Sequence, residues 1–307
     1  MFTHKKGFGL GAVALAVTAT LAGCSSANPL DTGDGDGDST AITIGSQGFA
    51  ENEILAQVYG QVLAANGYEV TYNTSIGERE AFITGLGDGS IDLIPEYAGN
   101  LLYGSDPDAT ASSIEDVTAA LPAVLEPLGL TTLEPAPGAD ADAFVVTKKF
   151  SEENNVTTIG DLAPLADTLT LAANTPFEQR WFGKLADTYG VEGLTFKAID
   201  DFGGPGTLGE LLNNSVQVAD IYTTTPSIKA NDLVVLEDPK FLIPAQNVVP
   251  LLNEKINSDK LAKLLNAVSA KITTDVLIDL NTAYAGDDKP SAKVVAEKWL
   301  KDNGFLK

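Results

Sequence analysis

The stretch ITIGSQGFAENEILAQVYGQVLAANGYEVTY, residues 42–72, decides the fold class. Residues 42–45 are rich in β-branched side chains and end on Gly45, which reads as a short strand. Ile54, Leu55, Val58, Tyr59, Val62 and Leu63 then recur at the spacing of one helical face until Gly67 stops the turn. A second strand is predicted over 68–72. Strand, helix and strand in immediate succession is the repeating unit of an α/β chain.

Outward from this unit the alternation continues. Strands are predicted over 91–95, 143–147, 169–172, 194–198, 216–222 and 234–237, with helical stretches between most of them. The end of the chain is mainly helical: residues 258–284 place Leu261, Leu264, Leu265, Val268 and Ile272 on one face, and residues 291–303 follow Pro290. Two proline-bearing stretches, Pro135-Ala136-Pro137-Gly138 and residues 245–249 between Pro244 and Pro250, suit connectors between rigid bodies. Proline fixes φ and lacks the N–H that a central ladder uses. The expected organisation is therefore two lobes, residues 41–142 with 248–307, and an inserted lobe 143–247, with a ligand cleft between them. One undivided α/β domain is the alternative.

Upstream, Lys5 and Lys6 precede an apolar run over residues 8–21 that ends in Leu21-Ala22-Gly23-Cys24, and Cys24 is the one cysteine of the 307 residues. A basic start, a short apolar segment and small residues before the cysteine fit a cleaved secretory leader over residues 1–23. The pattern resembles a bacterial lipobox, which implies cleavage before Cys24 and acylation of its sulfur. Residues 24–40 alternate Asp31, Asp34, Asp36 and Asp38 with Gly33, Gly35 and Gly37 and have no apolar periodicity, so they read as a disordered tether. Its root-mean-square reach is roughly 20–24 Å. A calcium loop starting at Asp34 would need glycine and glutamate where Ser39 and Gly45 stand. The expected location is outside the cytoplasm, lipid-anchored to the cell membrane through Cys24.

Loss of the leader also removes His4, the one histidine. Catalysis through a histidine-based triad and His- or Cys-ligated metal sites then lack their chemical groups. The formal charge is −23, and the body without Lys5 and Lys6 is two units more negative. Such a field repels nucleic acid and favours the approach of cations. Paired carboxylates remain open to a hydrolase, but Asp92 and Glu96 lie four positions along one predicted strand, roughly 13 Å apart. A retaining pair needs about 5 Å. Gly203-Gly204-Pro205-Gly206 lacks the Lys-Ser/Thr of a phosphate loop and reads as a turn. No cofactor and no metal are expected.

Four segments occur in register: Ile44-Gly45-Ser46-Gln47-Gly48-Phe49-Ala50-Glu51, Ile91-Asp92-Leu93-Ile94-Pro95-Glu96-Tyr97-Ala98-Gly99, Phe177-Glu178-Gln179-Arg180 and Ala219-Asp220-Ile221-Tyr222-Thr223-Thr224. Together they resemble the osmoprotectant-binding lipoproteins of ABC importers, the quaternary-amine uptake family for glycine betaine, choline, carnitine and proline betaine. The resemblance implies a two-lobed type II periplasmic-binding-protein fold with two interlobe crossovers. It also implies partnership with a permease and its cytoplasmic ATPase, and no enzymatic activity.

Carried over residue by residue, the resemblance makes Tyr97, Phe144 and Tyr222 faces of a box for a trimethylammonium group, since aromatic faces attract a cation that cannot donate hydrogen bonds. Arg180 is matched to the arginine that clamps a ligand carboxylate. Asp142, Ser46 and Gln47 are expected to line the same cleft. Two departures stand out: Leu242-Ile243-Pro244-Ala245-Gln246-Asn247 replaces a stretch that often supplies a fourth aromatic, and Gln47 replaces a common lysine. Three cation–π faces contribute about 6 kcal/mol at most, whereas micromolar binding needs about 8 kcal/mol. Gln246, Asn247 and Gln47 are expected to help supply the difference. A more polar ligand, such as an amino acid, and a non-transport surface lipoprotein are the alternatives.

Overall fold

Ten strands occur among the described residues of the computed structural model, which are 40–77 and 79–307. In chain order they are β1 (Ala41–Gly45), β2 (Glu69–Asn73), β3 (Leu93–Tyr97), β4 (Leu130–Thr132), β5 (Phe144–Thr147), β6 (Thr170–Ala173), β7 (Thr195–Ala198), β8 (Val218–Asp220), β9 (Leu233–Val235) and β10 (Val248–Asn253). The expected leader, Cys24 and all but the last residue of the tether lie outside the described residues.

The strands form two five-stranded sheets, ordered β2-β1-β3-β10-β4 and β7-β6-β8-β5-β9. In each, three strands pair in parallel and a fourth joins both of its neighbours antiparallel. That antiparallel member is always the strand reached by a crossing: β5 follows the first connection from one sheet to the other, and β10 follows the return. The two crossing segments run side by side. Ala136 N–H donates to Val248 O at 2.8 Å, Val248 N–H to Gly138 O at 3.0 Å, and Asp140 N–H to Gln246 O at 3.2 Å.

Each sheet is covered on both faces by apolar side chains, as parallel pairing requires. On one face of the first sheet, the helix Ala50–Ala65 buries Ile54, Leu55, Val58, Tyr59, Val62 and Leu63 under the helices Asp259–Ser269, Thr274–Tyr284 and Ala292–Asp302. Tyr59 keeps its hydroxyl satisfied at 3.0 Å from Ser269 Oγ, which a buried phenol needs. The opposite face holds Phe82, Leu86, Leu101, Leu102, Val117 and Leu121. The second sheet packs Phe144, Leu171, Phe177 and Val218 on one side and Val145, Ala219 and Ile221 on the other.

Pro250 overturns its reading as part of a connector, because it lies in β10, between β3 and β4, opposite Pro95 of β3. The carbonyl and amide positions of a strand residue point the same way. Pro250 O accepts from Leu133 N–H at 3.0 Å, just past the end of β4, and Pro95 O accepts from Asn52 Nδ2 at 2.8 Å. Neither missing N–H therefore faces the strand opposite, and the β3/β10 ladder loses no bond. The same apolar run hides β10 from alternation arguments, since all six of its residues are buried.

Candidate functional site

A cavity of about 610 Å³ opens where the two crossings pass between the sheets. Gln47, Phe49, Arg79, Tyr97 and Asn100 reach it from the elements around β1 to β3; Asp140, Ala141, Asp142 and Gln246 come from the crossings; Arg180, Phe202 and Tyr222 come from the elements around the second sheet.

Tyr97 ends β3 and begins the helix Ala98–Ser105, so its ring projects from a strand end held on both sides. Its hydroxyl donates to Glu51 Oε1 at 2.7 Å, and Phe49 stacks on its ring at 6.0 Å with 27° between planes. Just beyond it, Gly99 is needed for close approach: a Cβ there would lie 2.7 Å from Ala245 O and 2.8 Å from Gln246 Nε2. The returning crossing thereby presses against the start of this helix, and Gln246 Oε1 accepts from Asn100 N–H at 2.9 Å.

Opposite, Tyr222 follows β8, and Phe202 stands in a turn at φ 54°. Asp201 holds that turn by accepting from Gly206 N–H at 2.7 Å, Thr207 N–H at 3.1 Å and Thr207 Oγ1 at 2.6 Å. Phe202 is 55 % exposed and Phe49 is 41 % exposed. Four aromatic side chains from both sides thus line one space.

The charged groups are mostly paired. Arg79 gives Nε at 2.7 Å and Nη2 at 2.5 Å to Glu96 Oε1, while Gln47 Nε2 gives 2.6 Å to Glu96 Oε2. Arg180 Nη2 lies 3.2 Å from Asp142 Oδ2 and its Nε donates to Pro176 O at 3.2 Å; Trp181 Nε1 also donates to Asp142 Oδ2, at 2.8 Å. Asp142 is nine-tenths buried, and its Oδ1 has no hydrogen-bond partner. Asp140 accepts from Thr224 Oγ1 at 2.8 Å.

Burial pushes the carboxyls of Glu51, Glu96, Asp140 and Asp142 above their ordinary range; Arg79 opposes this at Glu96 and Arg180 at Asp142. Burial, with Asp142 nearby, raises Asp220 to about 8. Burial likewise raises the Tyr97 and Tyr222 phenols. A raised carboxyl makes the folded chain bind more protons than the unfolded one between the ordinary value and the raised one, so its contribution to stability falls as pH rises. The melting temperature is accordingly expected to rise by several degrees as pH is lowered from 8 to 5, and Asp220→Asn to flatten that slope. Calorimetric melts across this range check it; a melting temperature that climbs with pH would overturn it.

Of the residues expected from sequence, the cavity brings together Tyr97, Tyr222, Arg180, Gln47, Asp142 and Gln246. Phe144 is not among them: it is 1 % exposed and meets Phe177 edge-on at 5.2 Å in the core of the second sheet. Ser46 is buried and not part of the lining, and its Oγ accepts from Ser75 N–H at 3.3 Å. Asn247 joins the crossings instead, its Nδ2 donating to Ala136 O at 2.8 Å. Arg180 faces the cavity but is engaged by Asp142 rather than standing free as a clamp. Asp92 accepts from Thr43 N–H at 2.8 Å, a strand-to-strand tie away from Glu96. Phe49, Phe202, Asn100, Arg79 and Asp140 are added by the structure. An aromatic directly before a helix and another inside a glycine-rich turn are the signals for the first two.

A family model described as the substrate binding domain of the ABC-type glycine betaine transport system matches residues 40–302. The glycine betaine-binding protein YehZ of Escherichia coli K12 is 24 % identical over 88 % of this chain and 92 % of its own. The carnitine transport binding protein OpuCC of Listeria monocytogenes is 24 % identical over 89 % of this chain and 90 % of its own. A crystal structure titled as a glycine betaine/carnitine/choline ABC transporter superimposes with a TM-score of 0.78 at 22 % identity, covering 87 % of this chain and all of that one. The fold is the two-lobed type II periplasmic-binding-protein fold.

Proposed function

This chain belongs to the substrate-binding domains of ABC-type glycine betaine transport systems, and on that premise we propose that it captures a small quaternary ammonium compound between its two halves and delivers it to a membrane permease driven by a cytoplasmic ATPase. Residues 41–142 with 248–307 act as one lobe and 143–247 as the other, closing on the ligand by bending at the paired crossings. Cys24 and the Asp/Gly segment behind it tether this body to the outer side of the cell membrane.

The observation that carries the reading is the convergence of Phe49, Tyr97, Phe202 and Tyr222 on one cavity. A methylated ammonium has no N–H to offer, so it is recognised by ring faces and excluded water rather than by hydrogen bonds. Phe202 supplies the aromatic that the run at 242–247 lacks.

Titration calorimetry of the purified full-length protein against glycine betaine, choline, carnitine, proline betaine and polar amino acids is the test. Saturable heat is expected from at least one quaternary amine; silence across all of them refutes the assignment. Tyr222→Ala is expected to weaken that binding at least tenfold, and an unchanged affinity would remove Tyr222 from the box.

A further inference from the structure

The same cavity carries information on the charge of its ligand. Its two arginines are each met by an acid, Arg79 by Glu96 and Arg180 by Asp142. No lysine lines it. Among the described residues no cation pairs with Asp140, whose side chain accepts from the Thr224 hydroxyl. Asp142 keeps a buried Oδ1 with no hydrogen-bond donor, an arrangement that costs free energy unless something supplies a proton or a positive charge. Glu51 and Asp220 stand just behind the lining, at the Tyr97 hydroxyl and the Ala143 amide.

Resting on the proposed function above, we infer that the preferred ligand is a net cation bearing a hydroxyl or other donor, of the choline type, rather than a carboxylate-bearing zwitterion. Asp140, at the start of the first crossing, faces the ammonium held by the rings. The Asp140 oxygen that Thr224 does not engage is left to accept from the ligand's hydroxyl. A carboxylate at that end would meet Asp142 directly and would have to pull Arg180 away from it, leaving a buried aspartate unpaired. Burial already holds Asp140 back from ionising, and a neighbouring ligand cation is what restores its charge. The box attracts the trimethylammonium group in all these compounds alike, so discrimination falls on the acids: Asp140 attracts a net cation in full, whereas in a zwitterion its repulsion of the carboxylate cancels much of that attraction.

Four probes separate the contributions: choline, glycine betaine, carnitine and tetramethylammonium, titrated into the full-length protein. Choline is expected to bind at least tenfold more tightly than glycine betaine or carnitine, and more tightly than tetramethylammonium, which lacks the hydroxyl. Carnitine carries both hydroxyl and carboxylate, so its weakness would assign the penalty to charge. Asp140→Asn is expected to weaken choline at least tenfold while changing glycine betaine less than threefold, with the melting curve reporting that the variant is folded. Glycine betaine binding as tightly as choline overturns the inference while leaving the quaternary-amine reading intact. Equal losses for both ligands in Asp140→Asn also overturn it. Should Asp140→Asn not fold, the wild-type ranking of the four probes decides alone. Absence of binding by all four overturns this inference, and silence of proline betaine as well removes the function proposed above.

Discussion

Arg79→Met is expected to lower the free energy of unfolding by about 3–5 kcal/mol, the range for stranding one partner of a buried ion pair. Glu96 is fully buried in β3, and Arg79 supplies two of its three side-chain contacts, Gln47 the third. Without the guanidinium, burial drives the Glu96 carboxyl further up and the group must protonate or remain an uncompensated charge. In a chain of this size the loss corresponds to a fall of roughly 6–20 °C in Tm. Urea denaturation measures it. The double variant Arg79→Met, Glu96→Leu should recover most of the loss, because an apolar pair of similar volume avoids both desolvation penalties. A single variant within 1 kcal/mol of the parent, by the ordinary scatter of surface substitutions, would show the pair to be solvated and dispensable.

Tyr97→Ala is expected to weaken quaternary-amine binding about 30-fold or more. One desolvated cation–π face is worth about 2 kcal/mol, and truncation removes a second contribution by freeing Phe49, whose ring rests on Tyr97. Glu51 also loses the phenol that it accepts and keeps Asn281 Nδ2 at 2.7 Å. Tyr97→Phe separates these effects: it preserves the π face and the stack with Phe49, so most of the affinity should remain. Calorimetry of both variants at one pH is the measurement, and a Phe variant as weak as the Ala variant would move the role of Tyr97 from its ring to its hydroxyl.

Much of this fold is legible in the chain because apolar spacing survives translation into elements. The first β-α-β unit is found as Ala41–Gly45, Ala50–Ala65 and Glu69–Asn73. What escapes is β4, only three residues long, and β10, whose uninterrupted apolar run has no period and whose Pro250 argues against a ladder until its register beside Pro95 is known. The lining of the cavity is legible where a side chain lies at the end of a strand, as at Tyr97, or just past it, as at Tyr222. It fails at Phe144 for the opposite reason. Phe144 is the first residue of β5, paired with Asp220, and its ring belongs to the sheet's interior. The residues of that crossing that line the cavity lie just before it, at 140–142. Phe49 and Phe202 carry no periodicity, because they sit in non-repeating backbone where only three-dimensional closure gives them a partner.

The exchange of antiparallel strands also dictates an order of assembly. All five strands of the second sheet come from one continuous stretch, β5 through β9, so that half can complete its ladders as soon as residue 235 is available. The first sheet has a gap between β3 and β4 that β10 alone fills, and the helix Ala50–Ala65 stays uncovered until the three C-terminal helices arrive. While the polypeptide emerges from its amino end, the first of the described helices to be made is therefore among the last to finish packing. Its apolar surface has to be shielded through the synthesis of nearly everything that follows.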